Sequence, residues 1–290
     1  MDFKNLNAAG SIGVLGASSF VGNRLLEFGA VHGLNLIPFS RTPTARGPEV
    51  DWRGLSARDF FRSGSISHWI SLCPVMALAG LLPMLELAGA RKLVAVSSTS
   101  LVTKKKSSDP RERRLADLLE RAEIRVREWA PMAGVEVILL RTTLTYDGIR
   151  DANIAAMARF IRHWCVLPIL QPATGLRQPL HAGDLAGACL MALAATNPQG
   201  CYTLSGGETL PYREMAGRVF DALKMPRRFL RVPLGLLNTI DAAGAFFPAG
   251  WRLPTSVLRR MNSDLVFDHS EAASDFGFSP RAFQPNLVDS

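Results

Sequence analysis

A single turn between a short apolar run and a helix constrains the fold of this chain most strongly. The segment GVLGASSFVGNRLL, residues 13–26, follows an apolar run at 11–15 and opens a helical pattern over 20–33. Gly16 permits a tight turn and Gly22 permits close packing of helix on strand, while Ser19 stands where a middle glycine is usual. Backbone N–H groups at such a helix start face phosphate well. The turn predicts a dinucleotide site, the alternative being an ordinary strand-to-helix turn.

The rest of the first half alternates strands and helices. Apolar runs at 34–39, 68–73, 92–96 and 135–140 predict buried strands, and the helical patterns lie at 75–90 and 111–130. This alternation predicts an α/β fold, a Rossmann-type doubly wound parallel sheet covered on both faces.

After about residue 145 the pattern changes to helices at 153–164, 182–195 and 211–223, with a strand at 201–204. We therefore expect a dinucleotide-binding Rossmann domain over 10–165, to which later segments cross back. A smaller, mixed C-terminal lobe for substrate should follow over 166–290.

The end of the second predicted strand bears on the identity of the dinucleotide. NAD-binding folds usually carry an acidic residue there for the ribose 2′-hydroxyl. This chain has Ser40 and Arg41 instead, and a guanidinium pairs well with a 2′-phosphate. The prediction is NADP, with NAD less favoured. The alternative is that Arg41 is a surface arginine in a loop.

Net charge and cysteine usage narrow the class of partner. The chain has 33 Lys and Arg against 25 Asp and Glu, a net charge of +8, and several arginines, Arg259 and Arg260 among them, lie in the second lobe. This charge suits an anionic small molecule. No nucleic-acid motif accompanies it, and peripheral membrane contact by the apolar stretch 229–251 is the less favoured alternative to a buried core.

Four scattered cysteines predict neither a disulfide scaffold nor a metal site. With no secretory signal in the first ten residues, we expect a cytoplasmic protein, with a homodimer left open.

Five segments together carry a resemblance to a known family. They are Glu123 and the stretches GASSFVG, KLVAVSSTS, LLRTTLTYDG and RQPLHAGDLA. In this order they are similar to the extended short-chain dehydrogenase/reductase family. More narrowly, they resemble its NAD-dependent epimerase/dehydratase group, which acts on nucleoside-diphosphate sugars.

The resemblance implies two sets of binding residues. For the cofactor, the resemblance implies Gly16, Ser18, Ser19, Phe20, Val21, Gly22, Asp51, Leu72, Cys73, Pro74 and Ser97, in addition to Ser40 and Arg41, which are predicted above from their chemistry. Those implied for a nucleotide sugar or similar substrate are Ser98, Thr99, Tyr146 and Arg177.

One departure from the family pattern concerns the chemistry itself. The family uses a Tyr-x-x-x-Lys pair for proton transfer, and the two positions fall on Leu115 and Leu119 here. None of the three tyrosines has a lysine four residues later. Thr99, Lys104 and His181 are candidate substitutes, although Lys104 also fits a solvated loop and His181 a local turn. The sequence therefore predicts either an atypical NAD(P)-dependent enzyme or a non-catalytic dinucleotide-binding redox sensor or assembly subunit.

Overall fold

The helices and strands of the chain alternate through its first half. A computed structural model describes residues 3, 6, 10–41, 52–62, 65–233 and 255–287. The strands in this part of the chain are β1 Ile12–Leu15, β2 Leu36–Phe39, β3 His68–Ser71, β4 Lys92–Ser98, β5 Glu136–Thr142, β6 Thr145–Tyr146, β7 Leu167–Ile169, β8 Leu176–Arg177, β9 Leu180–His181, β10 Cys201–Leu204, β11 Leu210–Pro211 and β12 Phe229–Arg231. The helices are α1 Phe20–Val31, α2 Ala57–Arg62, α3 Val75–Leu78, α4 Leu82–Leu87, α5 Ser100–Thr103, α6 Pro110–Ala133, α7 Ile154–Trp164, α8 Ala182–Ala194, α9 Tyr212–Ala222, α10 Thr255–Arg260 and α11 Ser270–Phe276.

Six of the described strands form one parallel sheet in the order β10-β5-β4-β3-β1-β2. The chain moves outward from β1 to β2 and then returns to the other side of β1 as β3. This reversal places a topological switch point between the carboxyl ends of β1 and β3, where open α/β sheets bind ligands. The predicted Rossmann-type doubly wound fold is therefore confirmed.

Apolar side chains cover both faces of the sheet. On one face, α1 and α8 bury Leu25 and Leu185 against Val14 and Ile70. The helices α3, α4 and α6 cover the other face, and their buried side chains include Leu78, Leu85 and Leu119. Burial on two faces explains why β1 is apolar throughout rather than alternating.

Helix α6 supplies the long wall beside the carboxyl end of β4, and its ends have clear local causes. Asp109 Oδ1 accepts a hydrogen bond from the Arg111 N–H at 2.8 Å, and Pro110 occupies the first turn. Gly134 ends the helix in the left-handed conformation, with φ of 63°.

One predicted helix is discontinuous. The pattern over 75–90 predicts one helical stretch, but the structure has the two short helices α3 and α4. Pro83 lies in the first turn of α4, where its missing N–H costs nothing, whereas inside a longer helix it would remove a hydrogen bond.

Segments after residue 165 contribute both to the main parallel sheet and to a separate apolar cluster. Helix α8 packs on α1, and β10 extends the main sheet beside β5. The helices α7 and α9 form a separate apolar cluster, which includes Ile161, Phe220 and Phe283. Among the described residues, no helix is long and apolar enough to cross a membrane.

Candidate functional site

The turn after β1 has the backbone geometry that a dinucleotide requires. Gly16 has a φ of +74°, and a Cβ there would lie 2.8 Å from the Cys73 nitrogen. At Gly22, a Cβ would lie 2.3 Å from the Ala17 carbonyl oxygen. Both glycines are therefore needed for close backbone approach: one brings the turn against the end of β3, and the other brings α1 against the turn.

The N-terminus of α1 has backbone N–H groups that are available to bind an anion. Ser19 caps the helix, its Oγ accepting a hydrogen bond from the Gly22 N–H at 3.0 Å. The N–H groups of Phe20 and Val21 have no acceptor among the described residues. Free N–H groups at the positive end of a helix bind phosphate. The residues of this turn thus fit the pyrophosphate of a dinucleotide.

Residues at two neighbouring strand ends adjoin this turn. The Leu72 N–H donates to the Leu15 carbonyl at 2.9 Å, which fixes the segment Leu72, Cys73 and Pro74 opposite Gly16. Burial raises the pKa of the Cys73 thiol, although a hydrogen bond with Ser71 opposes the shift. This segment therefore lies at the switch point as an uncharged wall.

The predicted 2′-phosphate residues lie at the end of β2. Ser40 is buried, and its hydroxyl lies 2.9 Å from the hydroxyl of Ser18. Arg41 is exposed beside it. Asp51, also predicted to contact the cofactor, falls outside the described residues.

A cavity of about 390 Å³ opens at the carboxyl ends of β4 and β5, between them and the helices α7 and α9. Its volume lies in the range of small-molecule sites. No carboxylate is among the described residues that line it. The polar lining consists of hydroxyls and cations, together with two amides: Ser98, Thr99, Ser100, Thr103, Lys104, Thr143, Thr145, Asn153, Arg177, Gln178, Tyr212 and Arg260.

The arginines of the cavity already have protein partners. Arg177 is buried, and its guanidinium donates to the carbonyls of Leu176 and Ser263 at 2.8 Å each and to that of Arg260 at 2.5 Å. Burial lowers the pKa of Arg177 to about 10. Arg260 forms an ion pair with Glu112 of α6. Arg177 therefore links two segments of the C-terminal part of the chain, and Arg260 links that part to α6.

Lys104 differs from the arginines in its contacts. Its ammonium lies 3.8 Å from Glu112 Oε1, beyond hydrogen-bond distance. Burial lowers the pKa of Lys104, while the charge of Glu112 opposes this shift and that of Arg260 adds to it. Lys104 thus lies half-buried in the cavity wall and is not the fully solvated loop residue of the alternative interpretation.

The helix positions that would carry the proton-transfer pair are apolar in space as well as in sequence. Leu119 is buried and Leu115 packs against the same apolar cluster under the sheet. One turn further on, Glu123 is buried and accepts hydrogen bonds from Ser97 Oγ at 2.6 Å and Arg141 Nη2 at 2.6 Å. The Ser97 hydroxyl is therefore bound to Glu123, and its predicted contact with a cofactor stays a prediction.

The remaining predicted residues divide between the cavity and its surroundings. Ser98 and Thr99 line the cavity; Ser98 Oγ accepts the Ser100 N–H at 3.1 Å, and Thr99 Oγ1 donates to the Thr142 carbonyl at 3.0 Å. His181 and Tyr146 are not among the lining residues.

Those two side chains serve the local structure. His181 Nδ1 accepts the Gly183 N–H at 3.0 Å and caps α8, as the local-turn alternative has it. Burial lowers the pKa of His181. The Tyr146 ring packs against Phe283 in the apolar cluster that α7 and α9 form. Roles for His181 in catalysis and for Tyr146 in substrate binding stay predictions.

The contacts of two residues at the cavity, Arg260 and Tyr212, escaped prediction. Arg260 belongs to the basic residues of the second lobe, but nothing in the sequence pairs it with Glu112, 148 positions away. Tyr212 lines the cavity beneath the Arg177 guanidinium, which lies 5.4 Å from its ring centre. Only three-dimensional proximity reveals these contacts, because their sequence separations carry no periodic signal.

Solved structures are similar to this chain over nearly its whole length. UDP-N-acetylglucosamine 4-epimerase from Bacillus cereus matches with a TM-score of 0.70 at 15% identity, covering 96% of this chain and 93% of that one. UDP-glucuronic acid 4-epimerase from Bacillus cereus, in complex with UDP-glucuronic acid and NAD, matches with a TM-score of 0.68 at 13% identity, covering 94% and 95%.

A short-chain dehydrogenase/reductase superfamily protein from Agrobacterium tumefaciens with bound NAD also matches, with a TM-score of 0.65 at 13% identity and coverage of 96% and 94%. No protein-family model and no curated protein sequence matches the chain. At these identities the likeness establishes the fold alone, a Rossmann-type α/β fold that this chain shares with those structures.

Proposed function

We propose that this chain binds a nicotinamide dinucleotide at the switch point and a nucleotide sugar or similar anionic, hydroxyl-rich molecule in the adjoining cavity. The observation that carries the proposal is the lining of that cavity, which combines three cations and seven hydroxyl side chains without a carboxylate among the described residues. Hydroxyls suit the hydrogen-bonding groups of a sugar, and the cations suit phosphate or carboxylate. Two structural neighbours have such ligands, UDP-glucose and UDP-glucuronic acid, together with NAD.

The dinucleotide would be held mainly by backbone. Its pyrophosphate would meet the N–H groups of Phe20 and Val21, and Gly16 and Gly22 keep that approach open. Leu72, Cys73 and Pro74 would line the other side of the crevice. A bound nicotinamide supplies hydride donation and acceptance. We include NADP as the preferred form, resting on Arg41 and on the missing acidic residue at the end of β2.

Proton transfer is the weak part of this site. Leu115 and Leu119 carry no exchangeable proton, and the Thr99 hydroxyl donates to a main-chain carbonyl. Of the three predicted substitutes, Thr99 and Lys104 line the cavity. The chain's own residues therefore bind and orient a ligand better than they move a proton, and we propose slow turnover.

A second candidate function follows from the same leucines. A non-catalytic dinucleotide-binding protein, acting as a redox sensor or assembly subunit, needs the turn at Gly16–Gly22 but no acid–base pair. The packing of Leu119 into the core under the sheet favours it. Persistent cofactor binding without turnover on any nucleotide sugar would distinguish this function from an atypical enzyme.

Calorimetric titration of the full chain tests the proposal. NADPH and NADH are titrated first, followed by UDP-glucose and UDP-glucuronic acid in the presence of the dinucleotide that binds. We expect saturable binding of a dinucleotide and of at least one nucleotide sugar. A folded protein that binds neither dinucleotide would refute the cofactor assignment, and one that binds a dinucleotide but no sugar nucleotide would refute the substrate class.

A further inference from the structure

Lys104 presents an ammonium group whose protons have no hydrogen-bond acceptor among the described residues. Its side chain is 21% exposed and lines the cavity. The nearest carboxylate oxygen, Glu112 Oε1, is 3.8 Å away, too far for a hydrogen bond. An ammonium group carries three donors, and partial burial removes much of the water that would otherwise satisfy them. A ligand acceptor in the cavity would restore those hydrogen bonds.

The arginines of the cavity differ from Lys104 in having hydrogen-bond partners in the protein. The guanidinium of Arg177 donates to three main-chain carbonyls and lies over the Tyr212 ring. Arg260 is paired with Glu112. Their charges add to the positive potential of the cavity, and each guanidinium is anchored to the protein by at least one hydrogen bond. Lys104 is the cation in the described lining whose charged group makes no hydrogen bond to a described residue.

The ion pair between Arg260 and Glu112 explains why Lys104 does not form a hydrogen bond with Glu112. The Glu112 carboxylate is buried and accepts hydrogen bonds from Ser107 Oγ at 2.7 Å and from Arg260. Both Arg260 and Lys104 approach Oε1, and Arg260 holds the closer position. The carboxylate thus retains Lys104 by charge at the wall of the cavity while its hydrogen bonds go to other groups. Glu112 acts here as a positioning residue.

We infer that Lys104 selects ligands carrying an anionic oxygen, a carboxylate or a phosphate, in this cavity. The inference rests on the proposed function, because it concerns the same site and its substrate class. It goes further by assigning the selection to the lysine that follows the β4 strand end, whereas Arg177 is bonded to main-chain carbonyls at 176, 260 and 263. A neutral ligand would leave the Lys104 donors without a charged partner.

The neighbouring lysine offers a matched control. Lys105 is more exposed, forms a 2.6 Å ion pair with Glu120, and is absent from the cavity lining. The substitutions Lys104→Met and Lys105→Met remove the same charge one residue apart. They therefore change the net charge of the protein equally and differ only in which contact is lost.

The experiment is calorimetry on the full chain with three probes: UDP-glucuronic acid, UDP-glucose and inorganic pyrophosphate. We expect Lys104→Met to weaken binding of the recognised anion by roughly ten- to a hundredfold, the loss of a charge-assisted hydrogen bond. Lys105→Met should change affinity by less than about twofold. A loss confined to UDP-glucuronic acid identifies a sugar carboxylate as the recognised group, and equal losses for all three probes identify phosphate.

The outcomes separate this inference from the proposed function. Equal affinities of the parent and Lys104→Met for every probe would overturn the role of Lys104 and leave the nucleotide-sugar proposal standing. Binding of pyrophosphate alone would overturn the nucleotide sugar, and the Lys104→Met titration with pyrophosphate would then decide the role of Lys104. A folded parent that binds no probe would overturn both. Circular dichroism checks each variant, and Lys104→Gln replaces Lys104→Met if the latter does not fold.

Discussion

The turn after β1 and the helix α6 face the same end of the sheet, but they differ in the groups that they offer to a ligand. At the turn, Gly16 and Gly22 have the close backbone contacts that leave N–H groups open toward a ligand. On α6, Leu115 and Leu119, which the family resemblance places at the proton-transfer positions, pack into the core. The proposed binding at the turn rests on backbone groups, whereas proton transfer on α6 would need side chains that these leucines do not supply.

The difference shows how binding and chemistry can separate within one site. Backbone donors depend on chain path, which the packing of α1 and β3 fixes independently of α6. Proton transfer depends on two side chains at one spacing, and replacing them leaves the helix and its packing intact. A chain of this kind can keep cofactor affinity while its turnover falls.

The largest expected effect comes from the turn. Gly22→Ala should abolish measurable dinucleotide binding, because its Cβ would stand 2.3 Å from the Ala17 carbonyl and force α1 away from the turn. Gly187→Ala is the control: this glycine also lies in a helix, buried in α8, but a Cβ there meets nothing within 4 Å. Calorimetry with NADPH on both folded variants makes the comparison, and unchanged affinity in Gly22→Ala would contradict the assignment of the turn.

The next largest effect concerns the rate of turnover, which depends on the side chains of α6. General acid–base catalysis contributes about 10²–10⁴-fold, so without the Tyr-Lys pair we expect slow or absent turnover of UDP-sugars despite cofactor binding. Any activity should fall in Thr99→Val or Lys104→Met and should persist in His181→Gln, since His181 lies outside the cavity lining. Assays of product formation would decide; rapid turnover indifferent to Thr99 and Lys104 would show that the chemistry lies elsewhere.

The sequence predicts the strands and helices of the parallel sheet well. Apolar runs and the glycine turn specify strands and their helices, since burial on two faces leaves a continuous signal. The placement of Leu115 and Leu119 at the proton-transfer positions, counted from Glu123, stays a prediction. The sequence does not reveal the break at residues 79–81, just before Pro83, within an apolar helical pattern.

Contacts between distant side chains are the part that sequence reasoning misses. Glu112 is paired with Arg260, 148 residues later in the chain, and the Ser97 hydroxyl donates to Glu123. Successive side chains of a strand point to opposite faces of the sheet, so a shift of one residue in register exchanges the two faces. For this reason the adjacent hydroxyls of Ser97 and Ser98 have different surroundings.

A smaller effect tests what α6 now does. Burial alone raises the pKa of Glu123, but hydrogen bonds from Arg141 and Ser97 outweigh it and hold the pKa below the usual value of 4.5. A lowered carboxylate pKa stabilises the fold above that value, and this stabilisation is lost as the pH falls through the folded-state pKa. Glu123→Gln should therefore cost about 2 kcal/mol at pH 7 and less as the pH falls below the usual value.

Urea unfolding of the parent and Glu123→Gln between pH 3 and pH 7 measures this difference. The exposed Glu120→Gln is the control, since its ion pair with Lys105 lies at the surface and contributes little. A constant gap between parent and Glu123→Gln across this pH range would contradict the role of the ionised carboxylate.

The smallest expected effect sharpens the dinucleotide side of the comparison. Arg41 is exposed at the end of β2, so solvent and salt weaken its hold on a 2′-phosphate. Arg41→Ala should reduce NADPH affinity by about 1.5 kcal/mol, roughly tenfold, and leave NADH affinity unchanged. Arg24→Ala serves as a charge-matched control, because Arg24 is paired with Glu27 on α1. Titrations at low and high salt should show the NADPH preference of the parent shrinking with salt. Tighter binding of NADH than NADPH by the parent, or an equal loss of both in Arg41→Ala, would remove the basis for an NADP preference while leaving the backbone site at Gly16 and Gly22 untouched.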